Sequence, residues 1–256
     1  MTRSRAVLKA VLPPIITQGL RKLMRPRGPT AEPPTGVLPP FVSESLASYA
    51  QYGEDLVVDA VLGCPANGYY VEVGANDPSL LSNTRRFYDR GWHGISVEPD
   101  PRMYARLAAQ RPRDTVLNIG VAATNGKASF YRLDPDTLST FDEAEYQRSL
   151  REYPGTRLVD VLEVEVATLD TICRSHLPPK QTIDFLSVDV EGTELDVLKG
   201  SDWRSARPTV VLVEINRGGT EILELMTSVD YEYLWSNGTN AIFRARALDG
   251  ANEREE

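Results

Sequence analysis

Tyr69-Tyr70-Val71-Glu72-Val73-Gly74-Ala75-Asn76-Asp77 is an apolar run that ends in a glycine. This pattern predicts a buried strand followed by a tight turn, which is how a doubly wound α/β sheet opens a nucleotide pocket. A dinucleotide-binding loop of the G-x-G-x-x-G type beginning at Gly74 would need glycines at positions 76 and 79. This chain has Asn76 and Ser79 there. We therefore do not expect the loop to bind a pyrophosphate.

The charges around this turn suggest a different ligand. Asp77, expected near the start of the next helix, would repel a phosphate that the helix dipole otherwise attracts. Glu72 lies inside the apolar strand, where an unpaired charge is costly, so we expect it to contact a cation or backbone amides. A ligand's amino group is the first choice for that cation. The pocket thus suits a positively charged nucleoside without phosphates, and S-adenosylmethionine, with its sulfonium and ammonium groups, is such a compound.

The composition is that of a globular protein with an acidic domain. Of the 256 residues, 41% are hydrophobic and 25% are charged, and 28 basic side chains face 36 acidic ones. Seven basic and no acidic side chains fall within residues 1–30, so the remainder carries 21 basic against 36 acidic side chains. An acidic domain argues against nucleic acid as a partner. The basic N-terminus has two interpretations: weak contact with an anionic membrane surface, or an arm that packs loosely on the domain.

Other sequence features point to a cytoplasmic protein. No apolar run reaches the roughly 18 residues that cross a membrane, and no signal-peptide cleavage site follows the N-terminal segment. Cys64 and Cys173 have neither metal-ligand spacing nor a disulfide framework, so we expect both to be buried in a reducing compartment.

The order of elements predicts one mostly parallel sheet. Residues 1–40 form a basic arm and a proline-rich linker, residues 41–248 the folded domain, and residues 249–256 a polar tail. Within the domain we expect strands at 69–74, 94–98, 116–121, 127–133, 160–166, 183–188 and 209–215, helices at 82–90, from Pro101, at 193–199 and at 220–228, and an irregular polar loop at 134–156. Ser82 is the expected N-cap of the 82–90 helix, and Ser43 a possible cap near the start of the domain.

The C-terminal segment adds an independent signal. Residues 231–235 and 241–246 flank a turn that contains Asn237-Gly238, which is a strong hairpin pattern. A doubly wound, mostly parallel α/β sheet that closes with an antiparallel hairpin is unusual for dinucleotide-binding domains. It is the usual ending of the Rossmann-like class I methyltransferase sheet, and we predict that fold class here.

Polar residues at the carboxyl ends of the first three strands are candidates for binding the methyl donor. Glu98 ends the second strand, 24 residues after Gly74, where a carboxylate can accept hydrogen bonds from both ribose hydroxyls. Asn118 ends the third strand, where adenine is expected, although a buried structural amide is an equal alternative. The role of Glu98 is shared by NAD and S-adenosylmethionine sites, so alone it discriminates little between them.

The fourth and fifth strands end in a group of oxygen-bearing side chains. Asp189 and Glu191 would project toward the methyl-donor pocket, and Glu214 and Asn216 follow the next strand. Asp189, Glu214 and Asn216 could bind Mg²⁺, or they could hydrogen-bond substrate hydroxyls and each other. We expect the general base to be Asp189, Glu191 or a polar residue of the 134–150 segment, not His93 or His176.

Taken as an ordered set, six segments resemble the FkbM family of S-adenosylmethionine-dependent methyltransferases. They are residues 49–55, 71–76, 82–84, 91–99, 168–170 and 184–192. The resemblance implies O-methylation, commonly of a sugar hydroxyl on a glycolipid, polysaccharide or glycosylated natural product. It places Glu72, Gly74 and Glu98 at the methyl donor, with Asn83 and Thr84 facing the ligand, and Asp189 and Glu191 at the rim of the active site.

The expected function is therefore O-methylation of a carbohydrate-containing acceptor. The 134–156 loop would cover that acceptor, with Ser139, Thr140, Asp142 and Glu143 available to sugar hydroxyls. The alternatives are a methyltransferase of a non-sugar small molecule, a NAD-dependent oxidoreductase, which the missing glycines disfavour, and a binding module without catalysis. A homo-oligomer is compatible with the sequence.

Overall fold

The computed structural model describes residues 48–216 and 219–246. The predicted basic arm and linker (1–40), the Ser43 cap and the polar tail (249–256) lie outside these residues.

Within the described residues, ten strands form two sheets. They are β1 (Tyr69–Val73), β2 (His93–Val97), β3 (Thr115–Leu117), β4 (Gly120–Val121), β5 (Gly126–Asp134), β6 (Arg157–Ala167), β7 (Phe185–Val188), β8 (Val210–Glu214), β9 (Tyr231–Ser236) and β10 (Asn240–Ala245). The larger sheet has the order β3-β2-β1-β7-β8-β10-β9. Its first five strands are parallel, and β10 is antiparallel to both β8 and β9. The predicted fold class, including the C-terminal hairpin, is confirmed.

Helices cover both faces of this sheet. They are α1 (Glu54–Val61), α2 (Arg85–Asp89), α3 (Pro101–Gln110), α4 (Glu143–Glu152), α5 (Leu169–His176), α6 (Glu194–Lys199) and α7 (Gly219–Ser228). Successive side chains of a strand point to opposite faces. Val71 and Val73 accordingly pack in one apolar cluster, and Tyr70 packs in a second one with Phe87 and Trp92. A sheet buried on both faces leaves its carboxyl edge as the place for a ligand.

The smaller sheet departs from the sequence prediction. The expected strand 116–121 is divided: β3 pairs with β2 in the larger sheet, whereas β4 pairs with β6. β6 also pairs along its length with the antiparallel β5, so the smaller sheet has the order β4-β6-β5.

The 134–156 segment is not the irregular loop that we expected. It contains a 3-10 turn at Asp136–Leu138 and the helix α4. The Asp142 carboxylate caps α4 by accepting hydrogen bonds from the amides of Ala144 (2.7 Å) and Glu145 (3.3 Å). Arg148 pairs with Glu145 and Glu152, three and four residues away along the helix. Capping and ion pairs thus form a helix whose composition is too polar to show an apolar stripe.

Three smaller expectations can also be compared with the structure. The helix expected from residue 82 begins at Arg85, although the Ser82 hydroxyl does accept a hydrogen bond from the Arg85 amide at 3.1 Å. Cys173 is buried as expected, but Cys64 is exposed, so that prediction was wrong for Cys64. Of the helices in the described segments, none has the length and apolar character to cross a membrane.

Candidate active site

The ends of the neighbouring strands β1, β2 and β7 come together at Gly74, which forms the floor of the site. We call this point the Gly74 crossing. Gly74 has φ +81°, and a Cβ at this position would lie 1.8 Å from the carbonyl oxygen of Asp189. The amides of Gly74 and Ala75 donate to the Val97 carbonyl (3.0 and 3.1 Å), and the Asp189 amide donates to the Val73 carbonyl (3.0 Å). Only glycine allows the chains after β1 and β7 to approach this closely.

Asp77 does not have the role that we expected. Its carboxylate accepts hydrogen bonds from the amides of Ser79 and Leu80, both at 2.9 Å, and pairs with Arg106 at 2.6 Å. It lies eight residues before α2, so it is not at a helix start, and Arg106 compensates its charge. Asp77 therefore does not repel a phosphate in the way that we expected. Asn76 takes φ +45°, a conformation that glycine adopts more easily.

Glu98 joins the loops that follow β1 and β2. One carboxylate oxygen accepts a hydrogen bond from the Asn76 amide (2.8 Å) and the other accepts one from the Asp100 amide (2.7 Å). Burial raises the pKa of Glu98 to about 7, although these two amides lower it. The Asn118 side-chain amide donates to the carbonyls of Glu98 (2.8 Å) and Pro99 (3.0 Å). Glu98 and Asn118 thus meet at one corner of the edge.

Glu72 is buried and already has a cation nearby. The Thr84 hydroxyl donates to its carboxylate at 2.7 Å, and burial raises the pKa of Glu72 to about 7 although Arg111 and Thr84 lower it. The amino group of a ligand was the first choice for that cation, whereas the structure links Glu72 to the Arg111 guanidinium through the Thr84 hydroxyl, which bonds both side chains. Asn83, on the same loop, donates to the Ser187 hydroxyl on β7 at 3.1 Å.

A cluster of carboxylates lies at the ends of β7 and β8. Oxygen atoms of Asp189, Glu194 and Glu214 all lie within 4.8 Å of one another. Burial raises the pKa of Asp189 to about 7, and the charge of Glu194 adds to this shift. Glu194 was not among the predicted site residues. Its carboxylate accepts hydrogen bonds from the amides of Val190 (3.1 Å) and Gly192 (3.0 Å), which fixes the turn that carries Glu191.

Glu191, Glu214 and Asn216 complete this group. Burial raises the pKa of Glu191 well above its usual range, and the neighbouring Asp189 raises it further. Burial also raises the pKa of Glu214 well above its usual range, and the charge of Glu191 adds to this shift. Asn216 donates from its side-chain amide to Glu214 at 2.5 Å. The structure therefore brings Asp189, Glu191, Glu214 and Asn216 together at one edge, as the strand ends predicted.

Helix α1 adds a further buried acid that the sequence analysis did not single out as a site residue. Glu54 accepts hydrogen bonds from the side-chain amides of Asn237 (3.0 Å) and Asn240 (2.7 Å) and from the Tyr52 amide (2.8 Å). Asn240 lies opposite Glu214 where β10 pairs with β8. The charge of Glu54 raises the pKa of Asp189, after burial and Glu194.

The 139–143 segment leads into helix α4, which covers Glu191. The Thr140 hydroxyl donates to the Glu191 carbonyl at 2.8 Å and accepts from the Asp142 amide at 2.9 Å. The Ser139 hydroxyl accepts a hydrogen bond from the Leu133 amide at 3.0 Å. Ser139, Thr140 and Asp142 thus all make hydrogen bonds within the chain, whereas Glu143 is exposed. The cover itself is α4, whose Glu145 lies against Gly192.

The two histidines lie away from this edge. His93 is the exposed first residue of β2, at the opposite end of the strand from Glu98, and His176 is the last residue of α5.

Comparison with known proteins identifies the family. A family model described as the methyltransferase FkbM domain matches residues 72–233. Methyltransferase sdnD of Sordaria araneosa is 27% identical over 178 residues, which cover 59% of this chain and 68% of that protein. Similar solved structures include a TehB-like SAM-dependent methyltransferase from Corynebacterium glutamicum (TM-score 0.38, 13% identity, covering 77% of this chain and 89% of that one). A precorrin-6y C5,15-methyltransferase from Geobacter metallireducens has a TM-score of 0.42 and 11% identity, covering 78% of this chain and 90% of that one. The family match confirms the resemblance drawn from the sequence, and this chain belongs to the FkbM family of methyltransferases.

Proposed function

We propose that this methyltransferase, which is of the S-adenosylmethionine type, transfers the methyl group to a hydroxyl of a carbohydrate-containing acceptor. The observation that carries the proposal is the carboxylate cluster of Asp189, Glu194 and Glu214, beside the Gly74 crossing. Arg148 lowers the pKa of Glu191 in this group, but it is already ion-paired with Glu145 and Glu152. A bound sulfonium would supply positive charge to this group of carboxylates.

The residues at the edge support proton transfer and positioning. As the acceptor oxygen bonds to the methyl carbon and the carbon–sulfur bond breaks, Asp189 or Glu191 takes the proton that the acceptor hydroxyl loses. A carboxylate is ordinarily a weak base, and it becomes a stronger base when its pKa is raised toward neutral pH. Alignment of donor and acceptor for in-line displacement supplies much of the acceleration, and the base adds a smaller factor.

The acceptor class rests on the family resemblance and on the polar surroundings of Glu191. Thr140 bonds the Glu191 carbonyl, Asp142 bonds Thr140, and Glu145 lies against Gly192; polar groups of this kind suit the hydroxyls of a sugar. One observation favours a non-sugar acceptor as the second candidate. Tyr52, whose pKa is raised by burial and by Glu54 and Glu214, places an aromatic ring near the same carboxylates.

A divalent cation is the second way to neutralise the cluster. Asp189, Glu194 and Glu214 present the carboxylate oxygens that Mg²⁺ prefers, and their mutual distances fit one ion. When bound, Mg²⁺ would lower the pKa of an acceptor hydroxyl. Full activity after dialysis against EDTA would exclude this role, whereas activity restored by added Mg²⁺ alone would support it.

The test of the proposed function has two stages. Calorimetry should show that the full chain binds S-adenosylhomocysteine and does not bind NADH. Labelled S-adenosylmethionine should then transfer label to a carbohydrate-containing fraction from the host, with simple phenols and carboxylic acids as comparison acceptors. Label found only in phenols or carboxylic acids would reject the sugar acceptor. Binding of NADH without binding of S-adenosylhomocysteine would reject the donor as well.

A further inference from the structure

A fully buried arginine lies beneath the loop that borders the donor crevice. Arg111 follows α3 and is 0% exposed. Burying a guanidinium is costly unless its donors are paired, and here they are. On the loop side it donates to the Pro78 carbonyl (2.6 and 3.3 Å), the Ser82 hydroxyl (2.9 Å) and the Thr84 hydroxyl (2.9 Å).

The same guanidinium is fixed to the sheet. It donates to the Tyr70 hydroxyl on β1 at 3.2 Å and lies 3.8 Å from the Asp114 carboxylate. Asp114 in turn accepts hydrogen bonds from the Tyr70 hydroxyl (2.6 Å) and the Gly94 amide (3.0 Å). The Arg111 group thus joins β1 and β2 to the loop after β1.

That loop depends on side chains for its position. In the part of the chain that the structure describes, no hydrogen bond between two backbone groups involves residues 76–83. The loop is held instead by Glu98 at Asn76, by Asp77 at its own turn, and by Arg111 at Pro78, Ser82 and Thr84. Leu81 also takes φ +56°, which is unfavourable for a leucine without support from its surroundings.

Two predicted donor-binding groups depend on the same anchor. The Thr84 hydroxyl, which accepts from Arg111, donates to Glu72, so it links the guanidinium to that carboxylate. Asn83 is the residue before Thr84, and its side chain reaches Ser187 on β7. Movement of the 78–84 loop would therefore displace Asn83 and change the hydrogen bonding of Glu72 together.

We propose that Arg111 is a positioning residue for the methyl donor. It holds the 78–84 loop, Asn83 and Glu72 in the geometry that binds the adenosyl compound. The inference rests on the proposed donor site. An arginine is required because its planar fork reaches the loop and the sheet at once, which the single ammonium of lysine does not. Because Arg111 holds the loop through contacts within the chain, less binding energy is lost on ordering it when the donor binds.

The test compares Arg111→Lys with Arg113→Lys. Arg113 is a suitable control because it also lies over the Tyr88 ring, at 3.8 Å from the ring centroid against 5.0 Å for Arg111, and bonds the Tyr88 carbonyl. It makes no hydrogen bond to the 78–84 loop among those in the described structure. Arg111→Lys should weaken S-adenosylhomocysteine binding by roughly 10-fold or more. The donor KM should rise, while the acceptor KM and the kcat at saturating donor stay within about 2-fold. Arg113→Lys should match the wild type in all of these.

A second variant and a second readout separate positioning from general destabilisation. Thr84 is 0% exposed, so it does not face the ligand as we expected and acts through Arg111 and Glu72. Thr84→Val keeps the shape of the side chain but removes its link between Arg111 and Glu72, so it should also weaken donor binding. Hydrogen exchange should become faster at residues 76–84 in both variants, with little change in α5 and α7.

The outcomes are distinct. If the wild type itself does not bind S-adenosylhomocysteine, the proposed function fails. If the wild type binds and folded Arg111→Lys binds equally well, the positioning role is wrong and the function stands. An equal loss of donor and acceptor affinity would also reject the role. Should Arg111→Lys not fold, Thr84→Val decides the question by the same criteria.

Discussion

Single carboxylates at strand ends hold backbone segments together as well as lining the crevice. Glu98 is 4% exposed and bonds the Asn76 and Asp100 amides, one from each of the loops after β1 and β2. A hydrogen bond to a charged group contributes about 1.5–3 kcal/mol, more than one between neutral groups. Loss of this side chain would release both loops at the corner where ribose is expected to bind.

Replacement of Glu98 by alanine should therefore weaken the binding of S-adenosylhomocysteine by roughly 10-fold to 100-fold, on the scale of lost charged hydrogen bonds. Isothermal calorimetry measures this directly. Glu163→Ala is the control, because Glu163 is an exposed β6 residue that pairs with Lys127. An affinity equal to that of the wild type would remove Glu98 from the donor site.

The candidate site was predictable wherever a residue's place on a strand determines its position. Glu72, Glu98, Asp189 and Glu214 lie on or just after strands whose ends share one edge. Other members come from packing between distant segments, which no local pattern reveals. Glu54 reaches the edge across the β9–β10 turn, and Arg111 lies two residues from the similar but more exposed Arg113. Glu194 was predictable from its position shortly after Glu191-Gly192, because a carboxylate there can accept hydrogen bonds from the amides of that turn.

At the level of elements, apolar strands were easier to predict than polar helices. The 5-residue β8 is buried at every position, so its composition alone identifies it. Helix α4 buries Glu145 and Ser149 instead of an apolar stripe, and its sequence therefore indicated a loop. The 116–121 strand was predicted as one element because the break that sends β3 and β4 to different sheets follows from their partners, not from their residues.

Asp142→Ala tests how much α4 depends on its cap. Loss of the cap should lower the free energy of unfolding by about 1 kcal/mol, which corresponds to roughly 2–4 °C in Tm for a domain of this size. The acceptor KM should rise, since α4 covers Glu191, and the affinity for S-adenosylhomocysteine should not change. Thermal melts and steady-state kinetics give these values. Asp142→Asn, which keeps an oxygen that can cap the helix, is the control, and an equal effect of both variants would count against the capping role.

Across the whole molecule, acids are buried at one edge of the sheet. Their burial lowers the free energy of unfolding, and it also forms a site that fits a cation. Glu72, Glu98 and Asp189 all have a pKa raised to about 7, mainly through burial. When the protein folds, each of these groups tends to take up a proton that the unfolded chain would release. A cationic donor provides a second way to stabilise the same carboxylates, because it favours their ionised form.

The ligand-free protein should therefore be more stable at pH 6 than at pH 8. For Glu72 and Glu98 the pKa is raised from 4.5 to about 7 on folding. Their stabilising protonation is complete below pH 4.5 and is lost as the pH rises through 7. Ionisation of each carboxyl should then lower the free energy of unfolding by about 1 kcal/mol between pH 6 and pH 8. Urea denaturation at pH 6, 7 and 8 measures this change, and Glu98→Gln should show a shallower dependence. Saturating S-adenosylmethionine should stabilise the protein more at pH 8 than at pH 6. A stability that is flat or rising over this range would show that these carboxyls are already ionised in the folded protein.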